Sequence, residues 1–258
     1  YNETEAKREA QRCLECGICS ECYQCVKACL AEAVDHTQQA VEKQIRVGAL
    51  ILSTGTDTFD PSSLKELYHY GSNPNVMTSL EFERILSASG PTMGHLQRPS
   101  DGKEPKKIAW LQCVGSRDSN QCGNSYCSSV CCMYAIKDSM IAKEHSEEEL
   151  DCVVFNMDIR TFGKDYEKYY NRAKDAGIRF VKSKVHSIDE VRETGNLNVR
   201  YMDDAGQLQE EDFDMVVLSV GVEPARDRDR LAGLLTLSKT SDGFYMESHP
   251  KLKPVDAP

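Results

Sequence analysis

One stretch, residues 106–145, limits what this chain can become. It reads KKIAWLQCVGSRDSNQCGNSYCSSVCCMYAIKDSMIAKEH. The apolar run at 108–111 predicts a buried strand. Ser128 or Ser129 is a candidate N-cap, after which Val130, Met133, Ile136 and Met140 fall on one helical face. Strand, loop, helix is the opening of a nucleotide-binding βαβ unit, whose loop normally carries G-x-G-x-x-G so that backbone can approach a pyrophosphate. Here the loop carries Cys113, Cys122, Cys127, Cys131 and Cys132 instead. The pattern reads as a dinucleotide site turned into an iron–sulfur site.

Three physical arguments support that reading. Thiolates are soft ligands suited to iron–sulfur clusters and to zinc. A helix N-terminus favours negative charge, and a tetra-thiolate cluster is anionic. The Cα atoms of the adjacent pair Cys131–Cys132 stand about 3.8 Å apart. Two sequence neighbours rarely close on one tetrahedral zinc, whose usual knuckle has spacers, whereas a cubane offers a separate iron to each. The alternatives are zinc and a set of buried core cysteines; free cysteines seldom cluster so densely in a chain that is not secreted.

The 258 residues suffice for one large or two ordinary domains, and a charged content of 28% is that of a globular chain. A net charge of −10 argues against a nucleic-acid partner and against an anionic membrane surface. No apolar run is long enough to span a bilayer, and no signal peptide opens the chain. Twelve cysteines then point to metal chemistry in a reducing compartment, the cytoplasm, and away from disulfides.

A polar helix is expected over residues 2–12. Next come Cys13, Cys16, Cys19, Cys22, Cys25 and Cys29, the last four in the C-x₂-C-x₂-C-x₃-C spacing of bacterial ferredoxins. Leu30 follows where ferredoxins place Pro, and no second run exists. Six thiolates exceed the four of one cluster and fall short of eight for two. One cluster with two spare thiols, two clusters completed from outside the chain, and a zinc knuckle are the readings this spacing leaves open.

Residues 44–55, QIRVGALILSTG, read as a buried strand ending in Gly55, where the chain can leave a sheet close to a ligand. A linker is expected from Asp60-Pro61, an amphipathic helix over 79–87, and a boundary over 89–105. Beyond the central stretch, strands are expected at 152–157 and 178–181, with a helix over 165–176 capped by Gly177. Segments 185–191, 197–202 and 215–220 alternate with turn signals. The order is βαβαβ, a meander and a final strand, a three-layer nucleotide-binding topology. The last strand ends in Leu-Ser-Val-Gly221, echoing Leu-Ser-Thr-Gly55. None of the 16 glycines is followed by another two positions on, so the usual phosphate loop is missing.

Several stretches resemble the flavoprotein (A-type) component of heterodisulfide reductase: WLQCVGSRD (110–118), YCSSVCCMYAIKDSMIAKEH (126–145), MDIRTFGKDYEKYY (157–170), DMVVLSVGVEPARD (214–227) and GFYMESHPKLKPVDAP (243–258). The resemblance covers nearly all of 37–258. It implies a thioredoxin-reductase-like flavin fold with a ferredoxin insertion, in which the nucleotide-like domain holds a [4Fe-4S] cluster where NAD(P)H would otherwise bind. Carried onto this chain, the ligands are Cys113, Cys127, Cys131 and Cys132, with Cys122 spare. The family's Gly-rich FAD opening and its closing strand and helix are not in this chain, which therefore resembles an internal piece. The cysteine ladder also resembles, more weakly, that of the small chains of glutamate synthase.

The expected fold is thus α/β: a ferredoxin-like module (1–36), part of an FAD-binding domain with a linker (37–105), a Rossmann-like, NAD(P)-type domain carrying a cluster (106–225), and a segment returning toward the FAD domain (226–258). The expected function is electron transfer between [4Fe-4S] clusters and FAD, the latter bound if the rest of the polypeptide is present. Thr54, Gly55 and Gly221 are candidate FAD contacts; Arg160 and Lys164, after the second strand of the βαβ unit, are candidates for the flavin or cluster edge. The resemblance implies other redox proteins as partners, of the heterodisulfide reductase B and C kinds or of hydrogenases or dehydrogenases, with a homodimer also open. A zinc-stabilised interaction module is the alternative from another class. An NAD(P)H reductase with a redox disulfide fits least, because 127–132 is C-x₃-C-C. Cys152 and Trp110 read as core residues, and the six histidines show no metal-site spacing.

Overall fold

The computed structural model describes residues 2–5, 7, 23–253 and 256–257. Cys13, Cys16, Cys19, Cys22 and the side chain of Cys25 lie outside the described residues, as does most of the helix expected over 2–12. The chain divides into two compact units, residues 1–55 and 56–258.

In the first unit a short helix, α1 (Gln24–Ala28), precedes a long extended segment. The strand expected over 44–55 is not formed. Ile45, Val47, Leu50 and Ile51 are exposed, and no described strand pairs with them. An apolar run becomes a strand only where neighbours accept its backbone hydrogen bonds, and among the described residues this one has none.

The second unit runs β1 (Thr56–Thr58), a 3₁₀ turn (Pro61–Leu64), α2 (Lys65–Tyr68), β2 (Val76–Thr78), α3 (Ser79–Leu86), β3 (Lys107–Val114), α4 (Cys131–His145) and β4 (Asp151–Asn156). It continues with α5 (Tyr166–Asp175), β5 (Arg179–Lys182), β6 (Ile188–Val191), β7 (Asn196–Met202), β8 (Leu208–Phe213), β9 (Met215–Val220), β10 (Val222–Pro224) and α6 (Arg228–Leu235). The five-stranded sheet has the order β2-β9-β3-β4-β5 with every pairing parallel. The expected βαβαβ frame, meander and final strand are all present. The helix expected over 79–87 is present as α3; not foreseen were β2, that β2 and α3 join this sheet domain although their stretch reads as FAD domain and linker, and β8, which completes the meander.

The two faces of the sheet bury two cores, as the period of two along a strand requires. Ile108 and Trp110 of β3, with Met215 and Val217 of β9, pack under α3, α4 and α5 beside Phe82, Ile136 and Cys152. Ala109 and Leu111, with Val216 and Leu218, face the meander beside Phe155, Leu197 and Phe213. Trp110 meets Phe82 edge to face at 5.4 Å. Each such large side chain contributes roughly 1.5–3 kcal/mol on burial.

Local signals account for the helix ends. Thr78 caps α3 with a capping box, its side chain accepting from the Glu81 backbone while Glu81 reaches back. α4 departs from expectation. It begins at Cys131 with Val130 as a cap that offers no side-chain acceptor. Ser128 Oγ is instead taken by the Val222 N–H at 2.9 Å, and Ser129 sits at φ 63°, outside helical space. The buried face of α4 is correspondingly shifted to Ala135, Ile136, Asp138, Ser139 and Ala142, leaving Val130 exposed. A buried stripe of small residues lets the helix lie close to the sheet.

Candidate iron–sulfur site

The site lies at the carboxyl edge of the parallel sheet, where β3, β9 and β4 end together. Open α/β sheets bind ligands outside this edge, at the point where strand order reverses. Here the reversal falls between β3 and β9.

Cys113 is delivered by an irregularity in β3. The register with β9 shifts between Leu111 and Val114, and Cys113 adopts φ 63°. A bulge with a left-handed residue re-aims one side chain, at a strain of roughly 1–2 kcal/mol for a residue with a Cβ. Gly115, two residues on, has φ 76°, and a Cβ there would lie 2.0 Å from the Phe59 ring. The chain then folds back on itself: Arg117 N–H donates to Tyr126 C=O at 2.9 Å and Asp118 N–H to Asn124 C=O at 2.7 Å. Tyr126 O–H donates to Val222 C=O at 3.0 Å, fastening the finger to the start of β10. That brings Cys127 back to the start of α4.

Cys113, Cys131 and Cys132 are buried and Cys127 half-buried, all as free thiols. Electrostatically, Cys113 has Cys132, Cys131 and Cys127 as neighbours, so four thiols from three segments converge. Cys122 is not among them. It faces Asp118, Lys184 and Glu223 and packs against the meander-side core. Among the described residues no group of three or more His, Cys, Asp or Glu side chains stands arranged to hold a metal ion.

The surroundings favour thiolates only if positive charge is supplied. Burial pushes the Cys113 thiol up to about 11, with Arg117 opposing and the other three thiols adding to the rise. Burial also raises Cys131 and Cys132. Against this stand a few donors. Arg117 reaches Cys113 and is ion-paired with Asp158. Ser129 N–H donates to Cys127 Sγ at 3.4 Å. The Arg160 backbone N–H points at Cys132, and its guanidinium is held 3.4 Å from Asp158. Four thiols, three buried and one half-buried, with one cation beside them suit a group that carries its own positive irons, as a cluster does.

Of the other expected site residues, Lys164 is exposed on the loop before α5. Thr54 and Gly55 are exposed in the first unit. Gly221 ends β9 in the second; a Cβ there would stand 2.8 Å from Ser128 Oγ and 3.0 Å from Ser116 Cβ, so the close approach this glycine permits is to the cysteine-bearing loops. Sequence reasoning passes over Arg117 and Asp158, and reads Ser128 as a helix cap where it is the acceptor for the Val222 N–H. A cation four residues after Cys113 is the available signal for the first; Asp158 and the role of Ser128 depend on contacts across the sheet edge and leave none.

No protein-family model matches the chain. Curated proteins do. The second iron–sulfur A-type component of CoB–CoM heterodisulfide reductase from Methanopyrus kandleri is 48% identical over 229 residues, 88% of this chain and 34% of that protein. The corresponding iron–sulfur component from Methanocaldococcus jannaschii is 43% identical over 250 residues, 96% of this chain and 37% of its own length. The chain is a homologue of part of the heterodisulfide reductase A-type component. The A-type component of the H₂:CoB–CoM heterodisulfide, ferredoxin reductase of Methanothermobacter thermautotrophicus is 45% identical over 240 residues, 92% of this chain and 36% of that protein. The chain thus spans about a third of the length of the A-type components it matches. Among solved structures, L-lysine 6-monooxygenase from Pseudomonas syringae aligns over 74% of this chain and 50% of its own at a TM-score of 0.41 and 13% identity, too slight a likeness to carry a conclusion. Among the described residues no helix is long and apolar enough to cross a membrane.

Proposed function

We propose that the chain is an electron-transfer segment of an iron–sulfur flavoprotein oxidoreductase similar to the heterodisulfide reductase A-type component, with one [4Fe-4S] cluster held by Cys113, Cys127, Cys131 and Cys132. The convergence of these four thiols, and the separate position of Cys122, is the observation that carries the reading. When bound, the cluster supplies one-electron chemistry. The chain's own residues hold and tune it: the bulge at Cys113 aims one ligand, α4 presents two, and Arg117, Ser129 and the Arg160 N–H offset negative charge on sulfur.

The cysteine ladder from Cys13 to Cys29 supplies a further cluster, or two, in the same reading. FAD binds when the whole polypeptide is present. Partner redox proteins in the cytoplasm take the electrons onward; the relatives' names, which join heterodisulfide reduction to ferredoxin, support this kind of partnership.

Iron, acid-labile sulfide and the visible spectrum of the full-length protein, purified without oxygen, test the reading. A brown protein whose broad absorbance bleaches on reduction is expected. A colourless protein with stoichiometric zinc would replace the reading with the zinc module.

A further inference from the structure

Asp138 lies on α4 with none of its surface exposed, and neither of its carboxylate oxygens has a hydrogen bond. A buried acid without partners costs stability whenever it ionises, and such a group calls for an explanation. Lys137 Nζ stands 3.5 Å from Asp138 Oδ1, but the same Nζ is 2.8 Å from Glu83 Oε1 on α3. The cation is therefore shared, and the closer acid is the half-exposed one. Burial raises the Asp138 carboxyl to about 7, with Lys137 opposing and Glu83 adding to the rise.

Asp138 follows Cys131 on α4 by two turns, about 10 Å along the helix axis. Tyr134 lies between them. Its O–H donates to Val220 C=O at 2.5 Å and is within hydrogen-bonding reach of Cys131 Sγ and of Ser79 on α3. One turn on, Lys137 and Asp138 of α4 meet Glu83 of α3. The seam between α3 and α4 thus carries polar groups in a row, from the buried Cys131 thiol to Glu83 and Lys137 in contact with solvent. The remaining titratable groups of this core are Cys152 from β4, kept neutral up to about 12 by burial, and Tyr169 and Tyr170 from α5. None of them carries charge at neutral pH, so the carboxyl of Asp138 is the buried group here whose charge can change.

We propose that Asp138 takes up one proton from solvent, by way of the Glu83–Lys137 end of the seam, when the cluster bound through Cys131 gains one electron. The inference rests on the cluster proposed above. Per electron accepted from a low-potential one-electron donor, one O–H bond forms at the Asp138 carboxyl, and electron and proton both leave on reoxidation. The physical reason is charge balance. A negative charge added inside the fold, where water cannot screen it, makes the ionised carboxylate two turns away costlier and its protonated form more favourable. At such a distance the effect amounts to about ten-fold tighter proton binding.

The test is the midpoint potential of this cluster in the full-length, cluster-loaded protein, followed by electron paramagnetic resonance between about pH 6 and about pH 9. The signal belonging to this cluster is the one altered in Cys113→Ser. The potential should fall as pH rises through about 7 to about 8 and level off on either side. In Asp138→Asn it should be independent of pH and equal to the acid-side value of the unmodified protein, because the amide is neutral like the protonated acid. Infrared difference spectra of the unmodified protein, reduced minus oxidised at about pH 7.5, provide a readout that needs no variant. A protonated-carboxyl band that appears on reduction and shifts in heavy water is expected. A potential that does not change with pH, a pH dependence that persists in Asp138→Asn, or no carboxyl band on reduction would each overturn the proposal. Absence of iron and sulfide would instead sink the cluster reading itself, and this inference with it.

Discussion

Ser128 is tied to Val222 across the end of the sheet: its Oγ accepts the Val222 N–H at 2.9 Å, with the Cβ position of Gly221 only 2.8 Å away. The loop that brings Cys127 to α4 is thereby clamped to the start of β10. Gly221→Ala would drive a methyl into Ser128 Oγ, Ser116 Cβ and the Gly115 carbonyl, the last 3.2 Å off. Overpacking of this kind costs about 1–3 kcal/mol. The expected outcome is a lower unfolding midpoint together with reduced iron retention. Ser128→Ala, which leaves the Val222 N–H without its partner, should cost about 1 kcal/mol and retain more iron than Gly221→Ala.

Arg117 is the cation facing Cys113 and is paired with Asp158. Removing it leaves more uncompensated negative charge on the cluster. Arg117→Gln should therefore lower the cluster midpoint potential, by tens of millivolts in order of magnitude. A redox titration followed by electron paramagnetic resonance measures this; a potential that rises or stays put would remove Arg117 from the tuning role.

Asp138 is fully buried on α4, its carboxylate oxygens without a hydrogen bond, and burial raises it to about 7. The charged groups facing it are Lys137, with Nζ 3.5 Å from Oδ1, and Glu83 from α3; Tyr134 lies one turn back on α4. The folded state holds this proton more tightly than the unfolded chain does. Stability from this group is therefore greatest at low pH and falls as pH rises from about 4 to about 7, then levels. Asp138→Asn should flatten that fall and stabilise the protein by about 1–3 kcal/mol above about pH 7. Unfolding midpoints of both proteins between about pH 5 and about pH 8, in steps of about half a unit, would check it.

Glu211 on β8 joins three strands. Its carboxylate takes Lys107 Nζ at 2.6 Å and Arg179 Nη2 at 2.8 Å and accepts from Tyr201 O–H; Arg179 in turn binds Asp151 through two nitrogens, at 3.0 and 2.9 Å. Despite opposing burial, the bonds from Arg179 and Lys107 hold the Glu211 carboxyl down at about 2. Its contribution is present above the ordinary glutamate range and is lost as pH falls from about 4.5 toward 2. Discounted for partial exposure, Glu211→Gln should cost about 1–2 kcal/mol at neutral pH and little once the pH falls to about 2. Acid unfolding curves of the two proteins would show the gap closing as pH drops.

The central strand–loop–helix was legible because its signals are local: an apolar strand of alternating faces, then cysteines at a helix start. β8 was not, since LQEEDF has only Leu208 and Phe213 apolar and no alternation of apolar and polar residues to mark a strand. The run at 44–55 misled for the converse reason, being apolar without a described strand to pair with. The cap expected at Ser128 was lost to Val222, 94 residues away, a contact no local pattern carries. By contrast the cysteine pattern offered five candidates directly, the family resemblance implied Cys122 as the spare thiol, and in the structure Cys122 faces Asp118, Lys184 and Glu223 while Cys113 has Cys127, Cys131 and Cys132 as neighbours.

The account's central claim is that Cys113, Cys127, Cys131 and Cys132 bind one cluster and Cys122 does not. Single Cys→Ser variants of all five, in the full-length protein, measured for iron, acid-labile sulfide and the electron-paramagnetic-resonance signal of the reduced state, test it most directly. The four ligand variants should each lose this cluster's iron or alter its signal, and Cys122→Ser should match the unmodified protein. Full iron and an unchanged signal in Cys132→Ser, with loss in Cys122→Ser, would contradict it.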